Sequence, residues 1–515
     1  MEEGRMKKSA TNIVFGYMNQ ILSLVLSFVS RTVFVYYFGA EYLGLEGLFT
    51  DVLGLLSLAD LGFGTAMVYS FYKPLAEKDE AKIAALTTFY RRIYWIIGIS
   101  VAVLGIAAYP LLPWLINLDT QIPNVSVYYF LALANVVLSY VCVYKTSVLT
   151  ADQKGYMLSK VSMVISLVST AVRVLAIVLT RNYILYLVLG VVMSLSQNLL
   201  ASRKAQKEYP YLRKRVELSR GERKGILKTI GSVFLYKLFS VLMNATDNLL
   251  TSVLVGTVVV GYYSNYHMLQ DKLAVLYTLI FTSMTASVGN LIVTEKEEKR
   301  YEVFSCQQSV SFIICAIVVP CYVILINDFI RVWLGAEFVL GGATVAAIGL
   351  NMYLSCVLQP LWSYREATGL YRKTKYIMLL CAVLNLVLSV IFGMLWGLTG
   401  ILFASNVARL LTYIWYEPKV LFREYFNRKP GRYFVSLAGN LLLIAVVSVA
   451  GLAVGALLPA PSFLLWFVKA CCVGLCCLGI AILVYSRSSG VKLLVERAKT
   501  FLADRRRKHE LEDDR

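Results

Sequence analysis

The chain carries about fourteen apolar runs, most of them 20 or more residues long, and they restrict its possible folds more than any other feature. A run of this length crosses the hydrocarbon core of a bilayer as an α-helix. Of the 515 residues 58% are hydrophobic and only 16% are charged, so a water-soluble fold would lack the polar surface to cover these helices. We therefore predict an all-α polytopic membrane protein with about 14 transmembrane helices. The predicted spans are 10–38, 42–72, 88–116, 123–150, 157–180, 182–202, 227–256, 259–293, 303–327, 339–364, 374–396, 398–420, 433–458 and 462–486.

Lys and Arg are concentrated at one set of helix ends. Both termini and the loops after even-numbered spans hold most of the 50 basic residues, whereas the segments 110–124, 256–261, 393–399 and 458–461 hold none. The positive-inside rule then predicts a multi-pass protein of the cytoplasmic membrane with both termini in the cytoplasm. Because this topology accounts for the net charge of +19, no nucleic-acid partner is expected.

An internal repeat organises the chain, with an offset of about 217 residues between its two copies. Six spans per copy is an even number, so both copies enter the membrane from the same side and form two parallel lobes around a central cavity. The last two spans have no counterpart and are extra C-terminal helices. The matching landmarks are 39–44 with 256–261, 113–115 with 332–334, and 151–154 with 367–370.

The repeat predicts five segments. The basic stretch between the lobes is predicted to be a cytoplasmic linker. The alternation of apolar and basic residues after the last span is typical of a helix on an anionic membrane surface, and a solvated tail fits this pattern as well. The predicted segments are the N-terminal six-helix lobe 1–202, the basic linker 203–226, the C-terminal six-helix lobe 227–425, the two additional helices 426–486 and the basic tail 487–515.

Polar residues line one face of the first span and, near the repeat offset, one face of the seventh. At 100° per residue the members in each span fall on a single side of the helix, so two polar walls are predicted to enclose the cavity. The predicted cavity wall comprises Asn19, Gln20, Ser23, Ser27, Asn244 and Asn248, accompanied by Ser30, Ser240 and the charged residues below.

Ionisable side chains also occur at membrane depth, where each costs about 2.5–3.5 kcal/mol unless a cavity or a partner compensates. They are candidates for substrate binding or ion coupling, but buried ion pairs that only orient helices remain an alternative. A pair between Arg31 and Asp247 is one hypothesis, and His267 titrates in a range that suits proton coupling. The cations are Arg31, Arg173, Lys237, Lys272 and Arg409, and the anions are Asp51, Asp60, Asp247 and Asp271.

No enzyme or cofactor motif is present in the sequence. There is no phosphate-binding loop or nucleophile elbow, and the only histidines are His267 and His509. The cysteines Cys471, Cys472, Cys476 and Cys477 lie in an apolar run whose helix would point them apart, so helix packing is expected rather than a metal site. The chain is predicted to be a non-enzymatic protein without cofactor or metal.

Several segments resemble the Wzx-type polysaccharide flippases. The likeness lies in Ser30-Arg31-Thr32, in the segments 38–44, 59–62 and 72–76, and in Asp247 followed by 261–266. This family belongs to the multidrug, oligosaccharidyl-lipid and polysaccharide exporter superfamily, which also contains the multidrug and toxin extrusion (MATE) antiporters and the lipid II flippases. The resemblance implies a MATE-like arrangement of the two lobes.

The resemblance also implies a function. An undecaprenyl-pyrophosphate-linked oligosaccharide would move from the inner to the outer leaflet by alternating access, for cell-surface polysaccharide biosynthesis. Its pyrophosphate would meet the cations Arg31, Lys237, Arg173, Arg409 and Lys272, and a proton or sodium ion would couple through Asp60, Asp247, Asp271 or His267.

Two other functions stay open. An ion-coupled multidrug antiporter shares the architecture but favours an acidic pocket, whereas the membrane-depth charges of this chain are slightly basic. A membrane polysaccharide polymerase or ligase needs larger outer loops than this chain has. Anionic membrane lipids are expected partners, and polysaccharide-assembly proteins are possible ones.

Overall fold

Long α-helices form the structure, which is a computed structural model of the chain. It describes residues 2–57, 63–117, 122–224, 226–227, 238, 246–368, 370–486, 488 and 490–492. A helix satisfies each backbone N–H and C=O within its own segment, which a spanning element must do because lipid offers no hydrogen-bond partner. The α-helices are α1 (Glu2–Leu56), α2 (Phe63–Glu77), α3 (Glu80–Ala108), α4 (Leu112–Leu115), α5 (Val125–Ser139), α6 (Val143–Ala151), α7 (Gly155–Thr180), α8 (Tyr183–Glu208), α9 (residues 246–254), α10 (Thr257–Thr294), α11 (Glu297–Trp333), α12 (Gly342–Val357), α13 (Gln359–Thr368), α14 (Tyr371–Leu411), α15 (Tyr413–Leu421), α16 (Gly431–Ala456) and α17 (Phe463–Tyr485).

Residue contacts divide the chain into two compact units, Met1–Ser264 and Asn265–Arg515. The division falls inside α10, so the first two turns of this helix belong to unit 1 and the remainder to unit 2. The segment bounds derived from the sequence repeat stay a prediction.

Eight helices among the described residues are long and apolar enough to cross a membrane, or ten if each of two bent helix pairs counts as one span. The chain is therefore a multi-pass membrane protein, as the apolar runs predict. Two of the eight, Val14–Leu56 and Lys373–Phe426, have 43 and 54 residues, about twice the length that one crossing needs. The number fourteen remains a prediction.

Single glycines interrupt the two longest apolar helices where outer loops were expected. Gly39 in α1 has φ 74° and Gly397 in α14 has φ 58°, a left-handed region that glycine enters without steric cost. The expected connection at 39–41, between the first two spans, and the expected loop 393–399 are thus one-residue breaks with helix on both sides. The apolar runs predicted that the chain reverses here, but the length of the connection depends on backbone angles that hydropathy does not report.

Two spans predicted as straight helices are bent. The span 123–150 consists of α5 and α6, which meet at 47°, and the span 339–364 consists of α12 and α13, which meet at 41°. Cys142, between α5 and α6, has φ 75°. Each bend turns the second helix of the pair away from the axis of the first.

The two C-terminal helices pack against α11 within unit 2. Asn440 of α16 donates to the Phe312 carbonyl at 3.3 Å, and Trp466 of α17 donates to the Leu325 carbonyl at 3.2 Å. Among the four cysteines of α17, Cys477 is buried, as expected for a packing residue. Cys471, Cys472 and Cys476 are exposed, so the packing interpretation is wrong for these three: they lie on the outer face of the helix, where sulfur meets lipid as readily as a methyl group does.

Candidate functional site

The two faces of α1 differ in both polarity and exposure. Apolar residues at helical spacing, from Met18 through Ile21, Val25 and Val29 to Tyr36, are all exposed on the surface of the unit. The polar wall predicted from the sequence is half-buried along its whole length, including Asn19, Gln20, Ser23 and Ser27. A membrane helix turns its apolar face to lipid and shields its polar face. The polar wall of α1 is therefore directed into unit 1.

Arg31 lies at the C-terminal end of this polar wall and contacts α10. Its Nη1 donates a hydrogen bond to Ser264 Oγ at 3.3 Å, and Ser264 in turn donates to the Gly261 carbonyl at 2.8 Å. Within the part of the chain that the structure describes, Arg31 and Asp247 form no ion pair, so the pairing hypothesis is not met in this conformation. The guanidinium is half-buried, and the acceptor of its hydrogen bond is a neutral hydroxyl rather than a carboxylate of the described residues.

Arg173 of α7 lies beside the same region, against an aromatic wall from α8. Its guanidinium carbon is 3.7 Å from the centroid of the Tyr186 ring, and Tyr183 stacks on Tyr186 with their centroids 5.9 Å apart. Gly190, one turn further along α8, makes room for the guanidinium group. Arg173 is thus held by a cation–π contact rather than by a carboxylate.

Glu46 completes this group. Its carboxylate and the Tyr186 hydroxyl are the electrostatic neighbours of Arg31. Neither Glu46 nor Tyr186 is among the site residues predicted from the sequence. A carboxylate inside the predicted span 42–72 is a signal that could have identified Glu46, but no local pattern separates Tyr186 from the other 33 tyrosines of the chain. We refer to Arg31, Glu46, Arg173 and Tyr186 as the two-arginine cluster.

Two contacts fix α10 and α9 against the second half of α1. The backbones of Gly44 and Gly261 meet so closely that a Cβ on Gly44 would lie 1.9 Å from the Thr257 carbonyl oxygen. Further along, Asn248 Nδ2 donates to Asp51 Oδ2 at 2.6 Å. Asn248, predicted as part of the polar wall, therefore stabilises a membrane-depth carboxylate by a hydrogen bond.

In unit 2, Arg409 of α14 is buried in a polar group. Its Nη1 donates to Asn351 Oδ1 and to Ser355 Oγ, each at 3.2 Å, and Gln270 also donates to Asn351 at 3.4 Å. No carboxylate of the described residues pairs with it. A buried guanidinium with only neutral partners keeps its full charge, which suits an anion-binding role.

His267 and Asp271, both predicted for ion coupling, are adjacent on α10. Nδ1 of His267 lies 3.1 Å from Oδ2 of Asp271, one helical turn away, and both side chains are exposed. Lys272, on the neighbouring position, is half-buried. The structure thus brings together one imidazole and one carboxylate that can share a proton.

Four predicted residues lie outside the described residues: Asp60, Lys237, Ser240 and Asn244. Their roles stay predictions. Each unit thus has its own candidate groups. Unit 1 has the polar wall of α1 and the two-arginine cluster, and unit 2 has the Arg409 group and the His267–Asp271 pair.

The sequence of the chain matches the model of a protein family over residues 40–339, more than half of its length. The family is described as polysaccharide biosynthesis protein. The chain belongs to this family. No curated protein matches the sequence as a whole. The family match covers α1 from Ala40 onward, the two-arginine cluster apart from Arg31, and the start of unit 2.

Solved structures extend the comparison to the fold. The lipid II flippase MurJ in an inward closed conformation superposes with a TM-score of 0.69 at 13% identity, covering 93% of this chain and 99% of that one. An inward-facing multidrug resistance MATE transporter of the MOP superfamily superposes with a TM-score of 0.60 at 15% identity, covering 76% of this chain and 93% of that one. A Vibrio cholerae MATE transporter mutant superposes with a TM-score of 0.54 at 13% identity, covering 82% of this chain and 99% of that one. This family member thus has the MurJ and MATE fold, which confirms the architecture expected from the resemblance.

Proposed function

We propose that the chain is a membrane transporter that flips an undecaprenyl-pyrophosphate-linked oligosaccharide from the inner to the outer leaflet by alternating access. The observation that carries this proposal is the polar wall of α1, shielded from the lipid side and ending in two arginines that lack a carboxylate hydrogen-bond partner among the described residues. A pyrophosphate brings two or more negative charges and binds best to partly desolvated guanidinium groups. Membership of the polysaccharide biosynthesis family supports a sugar-bearing substrate.

Each group of residues has a distinct task in this proposal. Arg31, Arg173 and Arg409, with Lys237 and Lys272, bind the pyrophosphate during its passage, while Asn19, Gln20, Ser23, Ser27, Asn244 and Asn248 bind sugar hydroxyl groups. Asp60, Asp247, Asp271 and His267 couple a proton or a sodium ion. The chain performs no catalysis and lies in the cytoplasmic membrane with both termini in the cytoplasm.

The test is a flipping assay in proteoliposomes. A fluorescent polyprenyl-pyrophosphate oligosaccharide is incorporated in the lipid, and a membrane-impermeant quencher reports the leaflet that holds it, with and without an imposed proton or sodium gradient. We expect wild type to exchange the label between leaflets. Arg31→Ala and Arg173→Ala should each slow the exchange about tenfold or more, because each removes one charge-assisted contact worth about 1.5–3 kcal/mol.

Arg181→Ala is the matched control. Arg181 lies in the same unit at an exposed turn after α7 and belongs to no group of the candidate site. Its removal should leave the rate within about twofold of wild type. Equal rates for wild type, Arg31→Ala and Arg173→Ala would show that the cluster does not handle the substrate.

A multidrug antiporter is the second candidate, and the His267–Asp271 pair favours it because such a pair can exchange a proton. It predicts proton-driven uptake of a cationic dye into inside-out vesicles, abolished by Asp271→Asn. Dye transport together with unchanged lipid exchange would replace the flippase proposal.

A further inference from the structure

A basic pocket opens at the end of unit 1 that the positive-inside rule assigns to the cytoplasm, apart from the candidate groups described above. Its volume is about 380 Å³, and three parts of the chain form its wall: α3, the bend between α5 and α6, and the basic linker that follows α8. Five cations line it, together with threonine hydroxyl groups and the Gln206 amide. The cations are Arg91, Lys145, Arg213, Lys214 and Arg215.

The linker carboxylates do not neutralise this pocket, because they are used elsewhere. Glu217 accepts from Arg92 at 2.5 Å and from Arg223 at 3.1 Å, and Glu222 pairs with Lys82. None of the five pocket cations forms an ion pair with a carboxylate of the residues that the structure describes. Five like charges around one cavity repel one another, so the arrangement favours binding of an anion.

The surroundings of the pocket indicate where such an anion comes from. Trp95 lines the pocket and is exposed, and the exposed apolar residues Ile96, Ile99 and Val103 continue along α3 directly beyond it. Tryptophan concentrates at the membrane–water interface, and an exposed apolar helix face beyond it contacts acyl chains. The pocket therefore lies at the level of the headgroups of the inner leaflet.

We infer that this pocket binds the phosphate-bearing headgroup of an anionic lipid of the inner leaflet. Basic pockets between transmembrane helices on the cytoplasmic side suit such headgroups, and the adjoining apolar face of α3 accommodates the acyl chains. The phosphate bridges α3 and α6 to the linker, so a bound lipid holds the linker against unit 1. This inference does not depend on the proposed flippase function.

The test uses the purified full chain in a non-ionic detergent and native mass spectrometry to count bound lipids. Dioleoyl phosphatidylglycerol is the anionic probe and dioleoyl phosphatidylcholine the zwitterionic reference. We expect wild type to bind phosphatidylglycerol about tenfold more tightly, and the double variant Arg91→Gln with Lys145→Gln to lose most of this preference. Arg91→Lys, which keeps the charge, should retain it, and this variant separates loss of charge from misfolding.

The matched control removes two charges from the same linker outside the pocket. Arg220 and Lys224 are exposed and do not line it, so Arg220→Gln with Lys224→Gln should leave the affinity within about twofold. Equal losses in the two double variants, or no loss in either, would overturn the inference. Sodium pyrophosphate is the competitor that carries phosphate groups without a lipid. If it displaces phosphatidylglycerol at equal concentration, the pocket binds free phosphate rather than a lipid headgroup.

Because the binding test contains no transport substrate, its failure leaves the flipping assay unaffected. Conversely, Arg31→Ala should keep the wild-type preference for phosphatidylglycerol. The two proposals can therefore fail separately.

Discussion

Adding a single methyl group to Gly44 should separate α1 from α10. A Cβ at this position would lie 1.9 Å from the Thr257 carbonyl oxygen and 3.2 Å from the Gly261 nitrogen. An ordinary contact needs at least 3.4 Å, so one backbone must move by roughly 1.5 Å. Backbone atoms of two helices cannot rotate away as a side chain does. The free energy of unfolding should therefore fall by about 3 kcal/mol, the upper end of the usual range for overpacking substitutions.

Thermal unfolding of the purified chain, followed by intrinsic tryptophan fluorescence at a fixed scan rate, measures this cost. At an unfolding entropy of about 2.1 cal/mol/K per residue, a loss of about 3 kcal/mol corresponds to a decrease in apparent Tm of about 3 °C for a chain of 515 residues. Gly261→Ala should have a similar effect, because its Cβ would lie 2.2 Å from the Ala40 carbonyl oxygen. The double variant should lose less than the sum of the two, since both substitutions open the same helix crossing.

Gly54→Ala is the control on the same helix. No heavy atom lies within 4 Å of a Cβ built there, and alanine favours helix by up to about 1 kcal/mol relative to glycine. Its apparent Tm should equal or exceed that of wild type. The reasoning is refuted if Gly44→Ala unfolds at the same temperature as Gly54→Ala or above it.

Three further predictions concern ion pairs. Arg365→Met should lower the free energy of unfolding by about 3–5 kcal/mol, because it leaves the buried carboxylate of Glu417 without the guanidinium 2.6 Å away. In a double-mutant cycle measured by denaturation, adding Glu417→Gln should restore most of this loss. Lys469→Met should weaken the packing of α17 on α11, because the Lys469 ammonium lies 2.7 Å from the Asp328 carboxylate. Adding Asp328→Asn should restore part of the packing. An unchanged rate of hydrogen exchange in α17 of Lys469→Met would contradict this prediction. Hydrogen bonds from its two arginine partners lower the pKa of Glu217 below the ordinary 4.5, so this linker contact is complete at neutral pH and is lost as the pH falls through the lowered pKa. A spin label on the adjacent linker should become more mobile once the pH falls below that lowered pKa, and its mobility should stay unchanged at neutral pH.

The repeat identified two pairs of glycines whose structural role the coordinates then explain. Gly39 and Gly256 occupy matching positions, and both have positive φ, at 74° and 138°. Gly44 and Gly261 match at the same offset, and these two pack backbone to backbone. The sequence predicted that the positions correspond. It did not predict that the second pair is in mutual contact, because equivalence in a repeat does not imply proximity.

Local periodicity determined the membrane helices and the polar face of α1. Both follow from rules that act within a few turns of one helix, namely that the backbone must satisfy its own hydrogen bonds in lipid and that polar side chains avoid acyl chains. The spacing of Ser23, Ser27 and Arg31 was therefore sufficient to place them on one shielded side.

Only the tertiary structure decided the partner of each charge. Arg31 contacts Ser264, 233 residues away, and Arg173 faces an aromatic ring instead of a carboxylate. The basic pocket likewise combines α3, α6 and the linker, which no local pattern brings together. Periodicity fixes the side of a helix on which a residue lies, whereas its partner depends on how distant helices pack, and that packing is determined by the shapes of all the contacting surfaces together.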